Sequence, residues 1–92
     1  MNLDARYQLA DGVAIRPERF GGLVYHYDSR RLYFLHSHEL AAFVGGLTAE
    51  QPLAEAMAAF QESHGLPVEA QEAMLRSLSA LERIGLLVPV GG

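Results

Sequence analysis

Two apolar, aromatic-rich runs, Leu23-Val24-Tyr25-His26-Tyr27 and Arg31-Leu32-Tyr33-Phe34-Leu35, flank the polar triplet Asp28-Ser29-Arg30. Such runs suit a pleated, half-buried surface, and the triplet suits a reversal between antiparallel strands. Gly22 to Ser37 is therefore expected as a β-hairpin. Everything after Ser37 reads as helix, so helices must cover one face of the hairpin. The second arm is then a candidate sheet edge, whose unpaired N–H and C=O groups are open to an incoming strand.

Before the hairpin, Val13-Ala14-Ile15-Arg16 alternates and precedes Pro17. Proline forces its predecessor to be extended and cannot donate to a ladder, so this first strand belongs at an edge or ends there. Glu18 to Gly22 is expected as a loop, with Gly21-Gly22 supplying the freedom to reverse. Tyr7 and Leu9 alternate with polar neighbours, which fits a short extended arm. Residues 1–6 are expected to be flexible.

Ser37 suits a helix N-cap, with Glu39 near the positive end of the dipole. Leu40, Phe43, Val44 and Leu47 follow at i, i+3, i+4 and i+7, an apolar stripe. Leu53, Ala56, Met57 and Phe60 repeat that spacing and predict a helix over 52–63, closed by Gly65. Pro67 opens a third helix, expected over 67–84. At 100° per residue Ala70, Met74, Ser77, Leu81 and Ile84 share one side, with Glu69, Glu72, Arg76 and Arg83 opposite. Leu75 and Leu78 either widen the core stripe or line a groove at its margin. Residues 86–90 return as a short extended tail. The whole is one α+β domain spanning 1–92. It has a three-stranded antiparallel sheet followed by three helices, βββααα, and resembles a winged helix-turn-helix with its wing in front.

The net charge of −4 opposes sequence-independent nucleic-acid binding, which needs a basic footprint. The sign changes along the chain. Arg6, Arg16, Arg19, Arg30 and Arg31 all precede His38, whereas the helical part has only Arg76 and Arg83 among its glutamates. An acidic peptide is thus drawn to the hairpin end. There is no cysteine, which removes disulfides and thiolate chemistry, and a domain this small without disulfides points to the cytoplasm. No signal peptide and no apolar run near the ~20 residues of a membrane span is visible.

Motifs for catalysis are missing: there is no G-x-S-x-G, phosphate loop or H-E-x-x-H. His36 and His38 form an H-x-H pair beside Glu39, but the pair straddles a strand–helix junction and lacks a third ligand, so no metal site is assigned. Tyr25, Tyr27 and Tyr33 suit cross-strand packing more than base stacking, since the chain has no lysine. Arg30-Arg31 either forks a carboxylate or is a solvated turn. The chain reads as a binding module, not an enzyme, and no cofactor is expected.

The run Val13-Ala14-Ile15-Arg16-Pro17-Glu18, then Phe20-Gly21-Gly22-Leu23-Val24-Tyr25-His26-Tyr27, then Arg31-Leu32-Tyr33-Phe34-Leu35, resembles the mycofactocin precursor-peptide chaperones. These belong to the PqqD-like recognition elements of ribosomal peptide modification. The resemblance covers about Tyr7 to Val88 and is most specific in the hairpin. It implies a small winged-helix-like fold without catalysis of its own. Such domains take the leader of a precursor peptide as an added strand, against the third strand and the last helix. They then present the peptide to a radical S-adenosylmethionine maturase. In the mycofactocin case that partner oxidatively decarboxylates the terminal tyrosine of a Val-Tyr end, and the iron–sulfur clusters are the partner's. A chain without cysteine could not hold them through thiolates.

Mapped onto this chain, the resemblance implies a groove between Arg31–Leu35 and the third helix. Helical geometry then lines it with the edge of Arg31, Leu32, Tyr33, Phe34 and Leu35 and with Gln71, Leu75, Leu78 and Glu82. Arg30 and Arg31 would meet acidic residues of the leader. The competing reading is a winged-helix regulator that binds DNA through the third helix. That helix holds Glu69, Glu72 and Glu82 against Arg76 and Arg83, a balance that opposes it.

Overall fold

The computed structural model describes residues 1–90. Its elements run β1 (Arg6–Leu9), β2 (Val13–Glu18), β3 (Gly21–His26), β4 (Arg31–Leu35), α1 (His38–Gly45), α2 (Leu53–His64), α3 (Glu69–Arg83) and β5 (Leu87–Val90). The fold is α+β, with a three-stranded antiparallel sheet ordered β2-β3-β4 and three helices after it. The expected order βββααα omits β1 and β5, which pair antiparallel as a separate two-stranded sheet. The winged helix-turn-helix description does not account for this pair.

The hairpin pairs His26 with Arg31 and Gly22 with Leu35. Its reversal spans Tyr27 to Arg30, one residue longer than expected, with Arg30 at φ +59°. Pro17 stays inside β2, opposite Gly22. β2 is an edge strand, where proline's missing donor costs no ladder bond. Gly21 and Gly22 are strand residues, not the expected loop. A Cβ on Gly22 would come within 2.6 Å of Ala41 Cβ, and one on Gly21 within 2.7 Å of Ser37 N. Glycine is needed there so that α1 and the β4–α1 junction can lie against the sheet.

The starts of α1 and α2 find partners for their free N–H groups in different ways. The Ser37 hydroxyl accepts from Leu40 N–H at 3.1 Å and caps α1. At α2, Pro52 gives no side-chain cap. Instead the carbonyls of Ala5 and Leu3 accept from Leu53 and Ala54 N–H at 2.9 and 3.0 Å. Residues 3–5, expected as part of a flexible arm, thus act as a backbone cap. α2 ends at Gly65 in the left-handed region, φ +62°.

One core joins the two sheets to the helices. It includes Tyr7 of β1, Val24 of β3, Leu35 of β4, Leu40, Phe43 and Val44 of α1, Leu53 and Met57 of α2, and Leu86 and Leu87 at the C-terminal end. α3 contributes Met74, Leu78 and Leu81. Its buried face is therefore rotated from the expected stripe. Leu78 is 0 % exposed, while Ile84, placed in the core by periodicity, is 50 % exposed.

Candidate functional site

β4 is bonded to β3 on one side and is the last strand of its sheet. Its side chains alternate sharply. Leu35 is buried and Tyr33 packs partly buried against the core. Leu32 and Phe34 point the other way and are 48 % and 57 % exposed. β4 runs directly into Ser37 and α1. Beside that junction lies a furrow lined by Ser37, Glu39 and Leu40 on one wall and Leu66, Ala70, Ala73, Met74 and Ser77 on the other. Small side chains at 70, 73 and 77 keep it open, and Leu40, Leu66 and Met74 make its floor and sides apolar.

This furrow differs in its α3 wall from the one drawn on the sequence. Gln71, Leu75, Leu78 and Glu82 do not line it. Leu78 is sealed in the core, and Leu75 packs partly buried against it. Glu82 accepts a hydrogen bond from the Tyr7 hydroxyl at 3.0 Å. That hydroxyl also accepts from Asn2 N–H at 3.0 Å. Burial, offset in part by the Asn2 hydrogen bond, pushes the Tyr7 phenol above its ordinary value, with Glu82 adding to the rise. Ala70 and Ser77, which periodicity places on the apolar side of the helix, line the furrow. The signal that separates them is in the sequence: in a stripe of otherwise large side chains, positions 70 and 77 are small, and small residues leave space.

Arg30 and Arg31 sit at the exposed tip of the hairpin. Arg31 N–H donates to Ser29 Oγ at 3.3 Å, and Ser29 N–H donates to His26 Nδ1 at 3.2 Å. Among the described residues neither guanidinium is in an ion pair. Both border a hollow walled by Tyr25, Tyr27 and Leu32. His36 is exposed, with its ring 6.5 Å from that of Phe34. Among the described residues no three His, Cys, Asp or Glu side chains converge as a metal site. No helix of the described residues is long and apolar enough to cross a membrane.

An open strand edge, with an apolar furrow beside the junction that follows it, suits extended polypeptide, which bonds through its backbone and seats alternate side chains. The comparisons agree with that class. The profile of the Peptide chaperone MftB family matches residues 6–88. A Peptide chaperone MftB of Mycolicibacterium smegmatis is 33% identical over 86 residues, covering 94% of this chain and 80% of that protein. One of Mycobacterium tuberculosis is 35% identical over 86 residues, covering 94% and 75%. The chain belongs to the Peptide chaperone MftB family, the family its hairpin residues resemble. No solved structure matches the chain significantly.

Proposed function

We propose that this protein binds the leader of a ribosomally made precursor peptide as an added strand on β4 and delivers it to a radical S-adenosylmethionine maturase in mycofactocin biosynthesis. Family membership supports the peptide-chaperone role. The observation that carries strand addition is the free outer edge of β4 beside an apolar furrow. In this reading, backbone bonds to residues 31–35 set the register and supply much of the affinity. Apolar leader side chains enter between Leu40 and the wall of Ala70, Ala73, Met74 and Ser77. Arg30 and Arg31 pair with acidic leader residues, a contribution that falls as salt rises. The protein acts in the cytoplasm and carries out no chemistry itself. Its contribution is to hold the peptide at high local concentration beside the enzyme.

The test is a two-dimensional NMR titration of the labelled protein with a synthetic mycofactocin-type precursor peptide. Shifts concentrated at residues 31–35 and 70–77 are expected. Shifts confined elsewhere would overturn the site, and no shifts at high peptide concentration would overturn the function.

A further inference from the structure

The two sheets have four outer edges, and the alternation of their ladders decides which of them can take a strand. In an antiparallel pair every second residue turns its N–H and C=O away from its neighbour. The Tyr27 N–H donates to the Gly12 carbonyl at 2.8 Å. From that bond the register makes Ala14 with Tyr25 and Arg16 with Leu23 the bonded pairs, and Val24 with Tyr33 across the next ladder. The backbone groups of Val13, Ile15 and Pro17 therefore face outward from β2, and those of Leu32 and Phe34 outward from β4.

On β4, Leu32 and Phe34 are both exposed, and the strand contains no proline, so two N–H donors alternate along it. On β2, the Val13 N–H already donates to the Ala10 carbonyl at 3.1 Å and Pro17 has no N–H, which leaves Ile15 as the single donor. On β1, the Tyr7 carbonyl accepts the Ala49 N–H at 3.1 Å and Gln8 is bridged to Thr48, so that edge is covered. On β5, the bond from Ala10 N–H to the Leu86 carbonyl at 3.0 Å turns Leu87 and Pro89 outward. Leu87 is buried, and Pro89 again has no N–H.

Apart from its proline, β2 offers an incoming strand much of what β4 offers. It is the other outer strand of the same sheet, and beside it lies a largely apolar hollow lined by Ile15, Gly21, Ala41, Ala42 and Gly45. Pro17 is exposed and sits where its ring breaks no bond of the fold but removes the donor that an incoming strand needs. We propose that Pro17 is a specificity-determining residue: it closes the β2 edge, so that strand addition occurs at β4 alone. Selectivity between two edges is a difference of affinities, and it is reached here by weakening the wrong one. The inference rests on the strand-addition reading. It narrows that reading to one edge, where the backbone groups of Leu32 and Phe34 make the bonds.

The test compares the intact wild type with Pro17→Thr and Pro17→Ala, each shown to be folded by its amide spectrum. Both variants restore an N–H at position 17. Labelled protein is titrated with the synthetic precursor peptide, and sedimentation without peptide reports self-association. In wild type, shifts are expected at β4 and not over residues 13–18, with one peptide bound per chain. In the variants, shifts over 13–18 comparable to those at β4, with a second peptide bound, are expected. Self-association of the variants alone, through β2, would equally show a newly receptive edge. Variants that stay monomeric, bind one peptide and leave 13–18 unshifted would overturn the role of Pro17. So would a wild type whose shifts at 13–18 match those at β4. A wild type that binds no peptide would overturn the function reading, and self-association of the variants would then decide the role of Pro17 by itself.

Discussion

The Tyr7 hydroxyl donates to Glu82 Oε2 at 3.0 Å, fastening β1 to the last turn of α3. The ring of Tyr7 is buried, and its oxygen also accepts the Asn2 N–H. One side chain thus joins the first strand, the segment before it and the last helix.

Tyr7→Phe keeps the ring and removes both hydrogen bonds. A loss of about 1 kcal/mol is expected, because Glu82 is partly exposed and regains water. Chemical denaturation checks it. The pH dependence is a second readout. A phenol whose folded value is raised stabilises the fold fully below the ordinary tyrosine value of about 10 and loses that contribution as pH rises through the folded value. Wild type should therefore lose more stability than Tyr7→Phe between about pH 9 and 11.

On the helical wheel Leu78 flanks the core stripe and Leu75 lies further round, beside Gln71 and Glu82. In the fold Leu78 is fully buried and Leu75 packs partly buried against the core. Leu78→Ala empties a fully buried site and should cost about 2–5 kcal/mol. Leu75→Ala, at a partly buried position, should cost clearly less. Urea midpoints of the two variants decide the order.

Ala73 lies on the furrow wall and is exposed. Ala73→Arg fills the furrow without touching the core. Peptide affinity should drop at least tenfold, with the melting temperature nearly unchanged. Full affinity in this variant would remove the furrow from the binding site.

Gly22 faces Ala41 too closely for any side chain. Gly22→Ala should cost about 1–3 kcal/mol by overpacking. Adding Ala41→Gly should return part of that loss, less the roughly 1 kcal/mol that a helical glycine costs. A double-mutant cycle by thermal denaturation measures the coupling.

How legible these features were depends on how locally each is encoded. The hairpin and three helices follow from periods of two and 3.6 residues and from Ser37 and Gly65 at helix ends. β1 and β5 are four residues each, and β5 contains Pro89. Nothing within either segment announces its partner, because the pairing joins opposite ends of the chain. On α3, periodicity located an apolar side but not its centre. Leu78, Leu75 and the small residues at 70, 73 and 77 could be ordered only once β1, β5 and α1 were packed against the helix. The β4 edge was readable from the hairpin, while the lining of the furrow beside Ser37 was not.

The β1–β5 pair also sets an order of events at synthesis. Strands β2, β3 and β4 are neighbours in sequence and can pair as they emerge. Arg6 must wait for Val90, and Leu9 for Leu87. Loop closure over nearly the whole chain is the slow, non-local step of such a fold. Until those last residues leave the ribosome, β1 lacks its partner strand, and the nascent domain stays an open intermediate with part of its core uncovered.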